Sequence, residues 1–147
     1  MRHSSLVVVV VSLVLATAGW GFSDQPQEPK LSSAERNVIA EQIGKVKSPA
    51  DRQVIKEWSN AKKVAEFICR PAALRSLSKQ DAAIDKVMLG TDDPSSLSLE
   101  STTRLLGNGQ YRKGDKWTDI SFACDIDSDT GKVSSFQWTS LGTSGAQ

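Results

Sequence analysis

Three aspartates at alternate positions, Asp125, Asp127 and Asp129 in the stretch DIDSDTGK, form the chain's most suggestive run of hard-oxygen ligands. A helix-loop-helix calcium site needs oxygens at loop positions 1, 3 and 5, a glycine at 6 and a bidentate glutamate at 12. Counted from Asp125, position 6 is Thr130, the glycine arrives one place late as Gly131, and position 12 is Phe136. The flanks alternate with period two, as strands do. The stretch therefore reads as a hairpin turn, and a calcium-binding module through Asp125, Asp127 and Asp129 is the alternative. No metal and no cofactor is assigned.

Two other constellations could carry chemistry. Asp92, Asp93 and Glu100 are the carboxylates that a small hydrolase could use as acid and base, which requires two of them across a cleft with at least one pKa raised. Adjacent aspartates before Pro94 more often form a solvated turn. Trp117 with Arg112 and Arg104 could instead make a binding surface for a peptide, a glycan or an envelope protein. The plain alternative is that Arg70, Arg104, Arg112 and Lys113 balance surface acids. For Trp58 and Trp138 a place in the core is the expectation.

Residue types that are missing exclude more than those present. His3 is the only histidine and lies in an N-terminal segment that reads as removable. A mature chain without it has no Ser-His-Asp or Cys-His nucleophile, no histidine acid/base and no histidine-containing zinc site. Eighteen Lys and Arg face 17 Asp and Glu, and loss of Arg2 would bring the net charge to zero. Nucleic acid, which demands a basic surface, is not an expected partner. The chain is thus read as a non-enzymatic binding or envelope-associated protein, with the carboxylate hydrolase as runner-up.

Arg2 precedes an apolar run from Leu6 to Leu15, and Ala16-Thr17-Ala18 supplies the small-x-small cleavage pattern, so residues 1–18 read as a secretory signal. The run is about half the roughly twenty residues that cross a bilayer, so no membrane span is expected after cleavage. Trp20 and Phe22 extend the apolar stretch and keep an uncleaved anchor as the alternative. Export to an oxidising compartment makes Cys69 and Cys124, the only two cysteines, an expected disulfide.

The elements that must position these groups follow from periodicity. Residues 19–31 read as a flexible lead-in. SSAE at Ser32 to Glu35 fits a capping box for a short amphipathic helix over 32–47, carrying Ile39, Ile43 and Val46. Ser48, Pro49 and Asp51 start a second helix of about twenty residues, with Val54, Trp58, Ala61, Ala65 and Ile68 on its inner face and Pro71 ending or sharply bending it, and a further short helix follows from Pro71 to about Lys79. From Lys86 the period changes to two, and Ile120, Phe122, Cys124 and Ile126 share one strand face. Gly114-Asp115 as a two-residue hairpin sets Lys113 opposite Lys116, Tyr111 opposite Thr118, Leu105 opposite Cys124, Arg104 opposite Asp125 and Arg112 across from Trp117. A three-residue turn Asp129-Thr130-Gly131 then puts Phe136 opposite Cys124 and Trp138 opposite Phe122, in the core; a four-residue loop would turn both outward beside Trp117. The fold class is α+β, with N-terminal helices packed on a small antiparallel β-meander of three to four strands. Residues 48–141 form its single domain and 142–147 a disordered tail.

The segments FICRPAAL (Phe67 to Leu74), VMLG (Val87 to Gly90), RLLGNGQYR (Arg104 to Arg112), Trp117 and ISFACDIDSDTGKV (Ile120 to Val133) resemble the family of exported rhizobial-type bacterial proteins known as domain of unknown function 930. The resemblance covers roughly Trp58 to Phe136. It implies an alphaproteobacterial source and hence a periplasmic address, and it supplies no activity and no catalytic residues.

Overall fold

A computed structural model describes residues 27–143 of the 147-residue chain. The signal at 1–18, the lead-in up to residue 26 and tail residues 144–147 lie outside the described residues. Ser32 caps α1 (Ser33–Gly44): its Oγ accepts from the Glu35 N–H at 3.1 Å and the Glu35 carboxylate accepts from the Ser32 N–H at 2.6 Å, completing the expected capping box. Ser48 caps α2 (Pro49–Lys56) by accepting from the Asp51 N–H at 3.2 Å. Each cap satisfies an orphan donor and contributes about 1 kcal/mol.

The expected twenty-residue helix is interrupted. After α2 the chain breaks at Glu57 to Ser59, and Ser59 recaps α3 (Asn60–Val64) by accepting from the Lys62 N–H. The break rotates the buried face, so Val54 is 60% exposed where the single-helix periodicity placed it inside, and Ile55 is buried instead. A π-helical turn, Ala65–Cys69, then runs directly into α4 (Arg70–Gln80). Pro71 therefore does not end the helix. Its ring would crowd the carbonyl of Phe67, four residues back, and the wider ladder of the π turn opens room there.

The lead-in also differs from expectation at its end. Leu31 is buried in the core, and the Glu28 carboxylate accepts from the N–H groups of Asn60 at 2.7 Å and Ala61 at 2.5 Å. These are donors that the start of α3 leaves without intrahelical partners. Residues 27–31 are thereby tied to the body of the domain.

The sheet has five strands rather than three to four. β1 (Ile84–Leu89) and β2 (Leu97–Ser101) lie end to end along one edge of β3 (Arg104–Lys113), which continues through β4 (Lys116–Asp127) to β5 (Lys132–Thr143) as an antiparallel meander. The Gly114-Asp115 hairpin sets every expected β3/β4 pair, including Leu105 with Cys124, Arg104 with Asp125 and Arg112 with Trp117. At the next turn Asp127 pairs with Lys132, so the loop has four residues, not three. A bulge then inserts Ser134: Ile126 pairs with Val133 but Asp125 with Ser135. That one extra residue returns Phe136 to Cys124 and Trp138 to Phe122, as expected for the shorter loop. Phe136 stacks on Phe122 with ring centroids 5.6 Å apart, and Trp138 meets Tyr111 edge-on at 5.7 Å. Both aromatics are half-buried at the margin of the helical layer rather than enclosed. Gly142 and Thr143, expected in the tail, pair with Asp119 and Thr118.

The helices cover one face of this sheet. Val64, Ala65, Cys69, Ala73 and Leu77 pack with Val87, Leu89, Leu105 and Cys124 in one core, which Ile39 of α1 joins, so residues 32–47 belong to the same domain. The Cys69–Cys124 disulfide, with Cα atoms 6.2 Å apart, pins the π turn to the central strand across 55 residues of sequence. Closing a loop of that size stabilises by about 4 kcal/mol in the chain-entropy account.

Candidate functional site

The expected surface of Trp117, Arg112 and Arg104 is only partly assembled. Trp117 is half-buried on the sheet face away from the helices, with the Lys86 ammonium 5.9 Å and the Arg112 guanidinium 5.8 Å from its ring centroid. Arg104 stands eight residues along β3, roughly 26 Å away at the rise of a strand. Neither arginine is an open anion site. Arg112 donates to both oxygens of Asp85, at 3.0 and 2.7 Å, and Arg104 donates to Asp125 at 2.6 Å. The Arg112 hydrogen bonds hold the Asp85 carboxyl below its ordinary value, and Asp85 raises the guanidinium in turn.

The three loop aspartates do not converge. Asp125 faces Arg104, while the Asp127 carboxylate accepts from the Asp129 N–H at 2.8 Å and the Thr130 N–H at 3.3 Å, closing the turn. Asp129 is exposed. Among the described residues no group of three His, Cys, Asp or Glu side chains could hold a metal ion. Asp93 is likewise committed to its turn. Its carboxylate accepts from the Ser95 N–H and hydroxyl, both at 2.8 Å, and these bonds lower its pKa, opposite to what a general acid requires. Asp92 next to it and Glu100 on β2 are exposed, and none of the three lines a described cavity.

A better-formed site lies in the helical layer, among residues whose types and spacing suggest helix packing at most. A groove of about 400 Å³, mostly apolar in its surface, runs between α1 and the α2/α3 junction. Leu31, Ile39, Ala40 and Ile43 supply its apolar lining, and Lys30, Arg36, Lys56 and Lys63 its charge. Its polar remainder is Asn60, whose side-chain amide donates to the Pro29 carbonyl. No Asp or Glu lines it, and among the described residues none of its four cations forms an ion pair. Two of them are held in place by hydrogen bonds. Arg36 donates to the Leu31 carbonyl at 2.5 Å and to Ser33 Oγ at 3.1 Å, and Lys63 donates to the Lys56 carbonyl at 2.9 Å. The charge bias extends beyond the groove: residues 27–80 hold eleven Lys and Arg against six Asp and Glu, and residues 81–143 six against ten. That asymmetry was readable from sequence once the helical and sheet halves were counted apart.

Together these features define a two-layer α+β domain, disulfide-pinned, with a basic helical layer on a more acidic antiparallel sheet. The chain belongs to the family described as Domain of Unknown Function (DUF930), whose model matches residues 56–144. No curated protein and no solved structure matches it. The family segment contains the sheet, the disulfide and the α3 wall of the groove; α1, the opposite wall, precedes it. No described helix is long and apolar enough to cross a membrane.

Proposed function

We propose that the protein is exported to the periplasm and acts there as a non-enzymatic binding protein, with the helical layer as its ligand-bearing side. The observation that carries this reading is the groove between α1 and α3, where an apolar lining meets four cations and no carboxylate. Small-molecule sites have this character, a mainly apolar concavity with a few placed polar groups. Export is supported by the Arg2 and Leu6 to Leu15 signal pattern and by the Cys69–Cys124 disulfide, which persists where thiols are oxidised. The resemblance to rhizobial-type proteins adds a Gram-negative, alphaproteobacterial setting.

Purification of the tagged chain from a bacterial host, followed by mass spectrometry under denaturing and native conditions, tests both halves. The denatured protein should begin at Gly19 and take up no alkylating reagent until it is reduced. The native protein, incubated with periplasmic extract, should acquire a bound species that a Lys56→Glu/Lys63→Glu variant does not. Reduced cysteines in a cytosolic protein would sink the export half. Retention that ignores the charge reversal would sink the assignment of the site.

A further inference from the structure

We infer that the groove between α1 and α3 holds a single-chain amphiphile with an anionic head, of which a fatty acid is the simplest case; this rests on the helical layer being the ligand-bearing side. The apolar lining of Leu31, Ile39, Ala40 and Ile43 suits an alkyl chain, because burying methylenes against it is favourable whatever the head group. The rim then selects the head. Lys30, Arg36, Lys56 and Lys63 lack carboxylate partners among the described residues, and Glu28, the acid bound to Asn60, spends its oxygens on the Asn60 and Ala61 N–H groups.

Arg36 and Lys63 are the most prepared of the four. A guanidinium carries five N–H donors and an ammonium three, so the contacts that position them leave donors for an incoming carboxylate. Held cations lose little freedom on binding, which favours affinity. The excess of Lys and Arg over residues 27–80 adds attraction at longer range, steering an anion to this side of the molecule. A cationic head meets repulsion at the same rim, and a neutral head gains burial alone. One concave groove between two helices accepts one chain, whereas a bilayer presents head groups and keeps its own chains buried beneath them.

Isothermal titration of the purified exported chain at low salt tests this, with decanoate below its micelle concentration as the probe. Decanol and decyltrimethylammonium vary the head, octanoate the chain, and phosphatidylglycerol vesicles present the same charge as a surface. Decanoate should bind one to one, octanoate roughly tenfold more weakly for its two missing methylenes, and decyltrimethylammonium more weakly than decanol. Lys56→Gln/Lys63→Gln should weaken decanoate by roughly tenfold and leave decanol unchanged. Equal binding of the three heads, loss of chain-length dependence, or vesicle binding without decanoate binding would each overturn the inference. If decanoate fails while a charge-dependent species is still acquired from periplasm, the ligand class is wrong and the site stands; if both fail, the site is wrong as well.

Discussion

Gly131→Ala is the substitution on which the packing of α1 against the sheet is most directly tested. Gly131 has φ +66° and its N–H donates to the Asp127 carbonyl at 2.8 Å. A side chain in that left-handed region costs about 1 kcal/mol. A second penalty comes from space. An added Cβ would stand 2.9 Å from the carbonyl carbon and oxygen of Ala34 and 3.0 Å from the Glu35 nitrogen. All three are backbone atoms in the first turn of α1, so no side chain can swing aside and the helix itself must move. Overpacking of that kind costs about 1 to 3 kcal/mol, which brings the expected total to roughly 2 to 4 kcal/mol.

Gly114 is the internal control. It has φ +58° and open space around its would-be Cβ, so Gly114→Ala should lose only about 1 kcal/mol. Asparagine separates the two causes, because it tolerates the left-handed region but still carries a Cβ. Gly114→Asn should therefore recover most of its loss and Gly131→Asn should not. Urea unfolding followed by tryptophan fluorescence measures all four variants. Alanine losses at the two sites that agree within about 0.5 kcal/mol, or recovery of Gly131→Asn, would refute the contact with α1 while leaving the turn conformation intact.

Replacing both half-cystines, Cys69→Ala with Cys124→Ala, should lower stability by about 4 kcal/mol and make it insensitive to reductant; a loss under about 1 kcal/mol would contradict the pinning role. Asp85 is held below its ordinary 3.8 by Arg112, so its contribution is complete above the ordinary value and disappears as pH falls through the lower folded one. Asp85→Asn should flatten the fall in stability below about pH 4, and an unchanged slope would show that the pair exerts no hold. Asp127→Asn should leave the melting temperature nearly unchanged, since an amide oxygen still accepts from the Asp129 and Thr130 N–H groups, and added calcium should raise it in neither protein. A rise of several degrees with calcium that vanishes in Asp127→Asn would establish the metal site instead.

What could be read from the sequence was what adjacent residues decide together. The capping box at Ser32 and Glu35, the cap at Ser48 and the Gly114-Asp115 hairpin are complete within a few residues, and the hairpin carried the whole β3/β4 register with it. The half-buried alternation of β4 likewise placed Cys124 on the inner face where Cys69 could reach it. Errors arose where one local signal was offset by another. Pro71 does stop an ideal helix, but the π turn just before it removes the clash, and nothing in the residue types of Ala65 to Cys69 announces a wider ladder.

The β4/β5 hairpin is the instructive case, because two departures cancel. A four-residue loop alone would have turned Phe136 and Trp138 to the open face; the Ser134 bulge turns them back. Burial against Phe122 and Tyr111 rewards only the restored register, so packing selects the bulge even though no local turn rule requires it. The groove was hidden for a related reason. Its walls are Leu31, Ile39 and Ile43 on one side and Asn60 and Lys63 on the other, joined by the Glu28 contact across 32 residues of sequence. Residues 27–31 show no periodicity of their own, and their place is set by the unpaired N–H groups at the start of α3. A cap supplied from outside the helix thus positions both Lys30 and Leu31, so Glu28→Ala should open the groove as well as destabilise α3, and faster amide exchange at Asn60 and Ala61 without any change at Leu31 would show that the two are not linked.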